Sequence, residues 1–377
     1  MLTCIRNVNA VINGQTARTD LYFEDGIMKS SAKATPDAVI DGTGLLAIPG
    51  FIDTHIHGFG GQGTEDGTEE AILTMSRELG KVGVTTFFPT IYTDTMERIL
   101  MDEKAIVSAI GKEEGADIGG IHVEGPFISP NKIGAQNPLG RKDPSPEIFS
   151  QIIEEGKGYV RAVTCAPELP GIEKIAKMAA ERSVVLLMGH TDATYDEAQR
   201  GIELGIRHTT HLFNAMTGLV HRYPGAVGAA LMNDKANVEI IGDGKHVHKD
   251  IIMFTIKVKG VDKVAIITDS LRPTNQTSGK LTANGVEVEM GDGLWVTKGN
   301  TDLIQGSALN MHRAFRNLVE WGLPIEKASA VTSTTPAAIY GLDDRGSLEE
   351  GKRADIVLLD GNLDISNVII GGKQYVV

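Results

Sequence analysis

Residues 49–61 read PGFIDTHIHGFGG: an apolar run carrying Asp53, then two histidines one residue apart, then a glycine-rich turn. An extended strand points residues i and i+2 to the same face, so His55 and His57 would project together from its C-terminal end. Two imidazoles on one face form half of a metal site. An isolated HxH is more often a pair of surface or core histidines, so the rest of the chain has to decide between the two.

Outward from this strand, residues 50–340 alternate short apolar runs with helix-like stretches. The runs include GVTTFFPT, IGGIHVEG, VRAVTCAPE, SVVLLMGH, HTTHLF, VEIIGDG and VAIITDS; the helical stretches include TEEAILTMSRELGKVG, GIEKIAKMAAERS, TYDEAQRGIELG and HKDIIMFTIKVKG. Repeated βα units predict a parallel sheet, and about eight of them predict an α/β fold of the closed (β/α)8 TIM type.

The ends have a different texture. Residues 1–49 hold β-prone runs broken by NG and DG, and residues 341–377 repeat the pattern in ADIVLLD and QYVV with DG and GG between them. The two ends are expected to pair into one small β-sandwich domain, with the barrel inserted between them. A second interruption, GKLTANGVEVEMGDGLWVTKGNTDLIQG, is expected to form a β-hairpin near 280–303.

Bulk properties narrow the chemistry. The chain has 377 residues, 41% of them hydrophobic, which supports a large core. No apolar run reaches the roughly 18 residues of a membrane span, and the first residues lack the pattern of a signal peptide, so a cytoplasmic protein is expected. Cys4 and Cys165 lie far apart and have no metal-ligand spacing, which argues against a disulfide framework. A net charge of -13 argues against nucleic-acid and anionic-membrane partners. An anionic substrate would need a local cationic pocket. The chain has neither the GK[ST] ending of a phosphate loop after GFGGQG nor a G-x-S-x-G elbow.

Conspicuous polar residues recur at the ends of the predicted barrel strands: His55 and His57, Glu124 in HVEGPF, His190 in LLMGH, His211 in HTTHLF, His246 in GDGKHVH and Asp269 in ITDS. The C-terminal rim of a barrel is where active sites are built. One carboxylate with histidines from separate strands is the nitrogen and oxygen donor set of zinc or iron. Glu124 stands where it could bridge two ions, Asp53 where it could support the ligands from behind, and Asp269 where it could serve as a general base. His122 and His208, each two or three residues before a proposed ligand, are read as supporting the ligands from behind or as structural.

Taken in order, DTHIHG, HVEGPF, GHTDAT, THLFNAM and ITDS identify the chain as similar to the amidohydrolase superfamily over nearly its whole length. The resemblance implies a metal-dependent deacetylase acting on N-acetylglucosamine 6-phosphate and releasing acetate and glucosamine 6-phosphate. It makes Glu124, His190 and His211 the ligands of a principal divalent ion, with His55 and His57 available to a second ion shared through Glu124. Asp269 becomes the catalytic base. Sugar contacts are implied for Ala135, Asn214, Ala215 and the main chain around Ile304, Gln305 and Gly306, and phosphate or sugar contacts for Arg222 and His246. Gln136, in GAQNP, stands where some relatives carry histidine, and the resemblance places it too among the sugar contacts. The resemblance also implies a homodimer in which the HRYPG loop reaches the neighbouring subunit. A cyclic-amide hydrolase, an aminoacylase-like enzyme for unphosphorylated substrates and a non-catalytic assembly protein on the same fold are the alternatives.

Overall fold

The structure, a computed structural model, describes residues 1–31, 34–276, 279 and 281–375. Eight parallel strands appear in chain order: Phe51–Ile56, Val84–Ile91, Ile121–Phe127, Val160–Cys165, Val185–Met188, His208–Thr209, Val238–Ile241 and Val264–Ile267. The first six are neighbours in one curled sheet, and the last two pair with each other. Two main-chain hydrogen bonds link this pair to the curled sheet at either side. Leu212 N–H donates to Glu239 O at 2.8 Å, and Asp269 N–H donates to His55 O at 2.9 Å.

Strands such as Val84–Ile91 and Ile121–Phe127 are buried along their entire length, as expected of a parallel sheet covered on both faces. The expected helices form over Glu69–Lys81, Ile172–Glu181, Tyr195–Leu204 and Lys249–Lys259. Thr194 shows why one of them starts where it does: its hydroxyl accepts from Glu197 N–H while the Glu197 carboxylate accepts from Thr194 N–H. Gly205, at φ 108°, ends that helix in a conformation that a side chain would strain.

Both chain ends do meet. Their strands form one continuous eight-stranded sheet in the order Lys373–Tyr375, Ile365–Ile370, Ile356–Leu359, Leu46–Pro49, Leu2–Ile12, Gln15–Glu24 and Ile27–Lys29, with Ala38–Asp41 also paired to Leu2–Ile12. A separate apolar cluster including Ile5, Val8, Phe23, Met28, Ile356 and Ile369 fills one face. The last two residues of QYVV lie outside the described residues. Leu46–Pro49 leads directly into Phe51–Ile56, so this sheet braces the strand that carries the histidine pair.

The insertion is larger than a hairpin. It is a four-stranded antiparallel sheet over Thr282–Ala283, Val286–Gly291, Leu294–Thr297 and Asn300–Ser307. The mixed polarity of TDLIQGS hid its last strand, and that strand carries Ile304, Gln305 and Gly306 toward the rim. Lys280 lies outside the described residues.

Candidate metal centre and its pocket

The ends of the parallel strands converge on Glu124, which is 1% exposed. Its Oε1 lies 2.9 Å from His211 Nε2 and 3.2 Å from His190 Nε2. Its Oε2 lies 3.1 Å from His57 Nε2, and His55 Nε2 stands 3.6 Å from Oε1. Asp269 Oδ1 completes the other side, 3.4 Å from His57 Nε2 and 3.6 Å from His55 Nε2. Two three-residue groups therefore share this space: Glu124 with His190 and His211, and His55 with His57 and Asp269.

Local backbone geometry aims these side chains. His190, His211 and Asp269 have φ of 48°, 30° and 50°, in the left-handed region that residues with a Cβ seldom occupy. Each comes within two residues of a strand end, where the turn redirects the side chain inward. Such strain persists only where the surroundings over-determine it, which is common at functional sites.

The donor set fits a metal. His190 Nδ1 lies 2.8 Å from Lys132 O and His57 Nδ1 lies 3.0 Å from Thr90 O. A carbonyl can only accept, so each Nδ1 carries the proton and each Nε2 keeps its lone pair for the centre. The Nε2 atoms of His190 and His211 are 3.2 Å apart, and those of His55 and His57 are 3.4 Å apart. Two nitrogens at zinc-type bond lengths of about 2.0–2.1 Å and a tetrahedral angle would be separated by roughly 3.3 Å.

Electrostatics tie the groups together. Burial alone would raise the Glu124 carboxyl, but His55, then His190 and His211, outweigh it and hold it well below the usual carboxylate range. Burial pulls His55 down, yet Glu124, Glu239 and Asp269 more than offset that and raise it. Asp53 is pushed up to about 7 by burial, against hydrogen bonds from Thr268 and the His55 N–H. The Thr268 hydroxyl donates to Asp53 Oδ2 at 2.6 Å, which ties the first parallel strand to the last. His122 is driven down to about 3 by burial and the neighbouring His55. It sits 2.9 Å from the Thr164 hydroxyl and packs edge-on against His55, with ring centroids 4.7 Å apart.

A cavity of about 370 Å³ opens above the centre. His57, Glu124, His190, His211 and Asp269 line its floor, and Ala135, Gln136, Asn214, Ala215, His246, Ile304, Gln305 and Gly306 line its walls. His246 Nδ1 is 2.6 Å from Asp243 Oδ2, so its ring is fixed. Arg222 stands apart: it lines an adjoining cavity with Lys132, Tyr195 and Tyr223, and of these four residues only Lys132 also lines the central one.

Two residues outside the sequence motifs also shape the centre. Tyr92 stacks on His57 with ring centroids 3.7 Å apart, and its buried hydroxyl has no hydrogen-bond partner among the described residues. It follows the run GVTTFFPTI, the same strand-end signal that marked the histidines. Glu239 is fully buried behind the centre, where Oε1 accepts from Thr54 at 2.8 Å and Tyr340 at 3.0 Å. His55 Nδ1 faces its Oε2 and His208 Nε2 its Oε1, each at 3.5 Å, an ion-pair separation rather than a formed hydrogen bond. A carboxylate inside the apolar strand VEII was the available signal.

A buried carboxylate between two histidine pairs, with a second carboxylate beside it on the rim of a parallel βα sheet, defines the class of metal-assisted hydrolase centres. The family model described as "Amidohydrolase family" matches residues 46–375, and the chain belongs to that family. It is 30% identical to the N-acetylglucosamine-6-phosphate deacetylase of Lysinibacillus sphaericus, over 98% of this chain and 96% of that one. It is 31% identical to the N-acetylgalactosamine-6-phosphate deacetylase of Escherichia coli O157:H7, over 94% and 93%. The fold superposes with a TM-score of 0.90 and 28% identity on a mutant N-acetyl-D-glucosamine-6-phosphate deacetylase of Mycobacterium smegmatis solved with N-acetyl-D-glucosamine-6-phosphate, covering 100% of this chain and 99% of that one.

Proposed function

We propose that this protein is a metal-dependent deacetylase that hydrolyses N-acetylglucosamine 6-phosphate to glucosamine 6-phosphate and acetate. The observation that carries the reading is the division of Glu124 between two histidine pairs, with Asp269 beside one of them. Glu124, His190 and His211 would hold a principal divalent ion, zinc or iron by donor type, and His55 and His57 a second one. Such an ion supplies Lewis acidity and a water acidified from about 15.7 toward about 7.

The chain's own residues do the rest. Asp269 takes a proton from the attacking water and returns it to the departing amine. Asn214, Ala215, Ala135 and the Ile304–Gly306 edge hold the sugar, His246 faces the acetamide, and Arg222 meets the phosphate from the adjoining cavity. Arg222 is exposed and set apart from the central cavity, an arrangement that suits a homodimer whose subunits complete each other's phosphate sites.

In domain terms, the eight parallel strands are read as one closed (β/α)8 barrel over 50–340, and residues 1–49 with 341–377 as a sandwich folded over its own apolar cluster. Among the described residues no helix is long and apolar enough to cross a membrane, and a cytoplasmic location is part of the proposal.

Relatives of two sugar specificities at similar identity favour one second reading, in which the C4 epimer is the substrate. Metal analysis combined with acetate release from N-acetylglucosamine 6-phosphate, N-acetylgalactosamine 6-phosphate and unphosphorylated N-acetylglucosamine tests the reading. Deacetylation of the first, with loss of activity on metal removal, is the expected result. Equal activity without the phosphate would overturn it.

A further inference from the structure

We propose that Gln136 is a positioning residue that sets the rotation of Glu124, so that Oε1 faces His190 and His211 while Oε2 faces His57. The inference rests on the reading of Glu124 as a metal ligand. It also gives Gln136 a role other than the sugar contact implied by its place in GAQNP.

The orientation of the amide is dictated by its surroundings. Thr93 N–H donates to Gln136 Oε1 at 2.7 Å, and a backbone nitrogen can only donate. The oxygen must therefore face Thr93, which leaves Nε2 to face Glu124 Oε2 at 2.5 Å. The flipped amide would set N–H against N–H at one end and oxygen against carboxylate at the other. Thr93 is tied to Glu124 a second way, through its hydroxyl, which donates to Glu124 O at 2.6 Å. Asn137 N–H in turn donates to Thr93 O at 3.2 Å, so the loop carrying Gln136 is pinned on both sides of Thr93.

The consequence falls on the carboxylate. The terminal torsion of a glutamate is broad and nearly two-fold, so an untethered carboxylate can turn. With Oε2 held by the amide, Oε1 stays with His190 and His211 while Oε2 faces His57. A freed carboxylate could instead give both oxygens to one ion and leave the other histidine pair without its shared ligand. Gln136 is only 6% exposed, so water does not readily substitute for the amide.

The test measures Zn²⁺ affinity directly. Metal-stripped wild type, Gln136→Met and Gln136→Asn are titrated with Zn²⁺ against a competing chelator, and each metal-free protein is melted to establish that it folds. Methionine keeps the length and removes the donor; asparagine keeps the amide but is one methylene too short to span both contacts. Removing a hydrogen bond that orients a metal ligand typically costs 10–100-fold in metal affinity, and that loss is expected in both variants. With metal saturating, KM for N-acetylglucosamine 6-phosphate should stay at the wild-type value, because no contact to the sugar has been removed. Unchanged Zn²⁺ affinity with a raised KM would make Gln136 a sugar contact and overturn the proposal. Wild type that takes up no Zn²⁺ would overturn the metal-centre reading beneath it, whereas wild-type uptake with unaltered variants overturns this inference alone.

Discussion

Replacing Glu239 by glutamine tests whether the charge behind the centre sets the state of His55. The change preserves shape and removes one charge at a fully buried position. If the amide oxygen keeps Thr54 and Tyr340, the new NH2 group occupies the place of Oε2, facing His55 Nδ1 at 3.5 Å. An imidazole with its proton on Nδ1 then meets another donor, so the proton is driven to Nε2, the nitrogen that points into the centre. In the metal-free protein the neighbouring carboxylates favour the charged form of His55, and a pair of full charges at that distance interacts by about 5 kcal/mol at an effective dielectric of about 20, while removing one partner of a buried pair typically costs about 3–5 kcal/mol. With an unfolding entropy of about 2.1 cal/mol/K per residue, a two-state chain of this length would lose roughly 4–6 °C of melting temperature. Pairing with His208 and His55 holds Glu239 well below its ordinary pKa against the effect of burial. Its contribution is therefore present above the unfolded carboxylate value of about 4.3 and is lost as pH falls through the lower folded value. Calorimetric melting of metal-free wild type and variant at pH 7 and near pH 4, with Zn²⁺ titration at pH 7, measures all of this. The gap should be full at pH 7 and should narrow in acid, and metal affinity should drop about 10–100-fold. A variant melting within about 1 °C of wild type at pH 7, with the same metal affinity, would refute the reasoning.

Three further outcomes follow from the site and its surroundings. Glu124→Gln should strip the shared ligand and abolish both metal retention and acetate release; full occupancy with normal turnover would remove Glu124 from the ligand set. Arg222→Ala should raise KM for the phosphorylated substrate about 10–100-fold, the equivalent of the roughly 1.5–3 kcal/mol of a charge-assisted contact, with little change in kcat. Equal losses on phosphorylated and unphosphorylated sugars would rule out a phosphate contact. Asp102 is pushed up to about 7 by burial, only partly opposed by Arg98 3.9 Å away, so its ionisation costs stability increasingly as pH rises from about 4 to 7. Asp102→Asn should therefore gain about 1–2 kcal/mol in urea unfolding at pH 8 and little at pH 5, and an equal gain at both would rule out ionisation as the cause.

The residues legible in the sequence are those whose chemistry contrasts with their neighbours. His55, His57, Glu124, His190, His211 and Asp269 each close an apolar run, and the structure brings all six within one cluster. Glu239 shows the limit of that signal. One carboxylate in VEII resembles the polar member of an alternating strand, and only the folded chain shows that its partners, Thr54, His208 and Tyr340, come from three distant segments. The positive φ of His190, His211 and Asp269 was equally invisible, because nothing local favours it; the turn is imposed by what the side chains face. That turn also explains why HTTHLF yields a strand of only His208–Thr209. The place of Arg222 depends on the path of an exposed loop, which hydrophobic pattern does not specify.

The brace beneath the histidine strand also sets a timetable for synthesis. Leu46–Pro49 pairs with Leu2–Ile12 on one side and with Ile356–Leu359 on the other, and Pro49 meets Ile356 across roughly 300 residues of intervening chain. At about 5–20 residues per second, the nascent strand leading into His55 and His57 waits roughly 15–60 s for its second neighbour. Throughout that interval one apolar edge has no permanent partner, so the chain's exposure to aggregation is greatest after the histidine pair has been made and before the sheet that braces it can close.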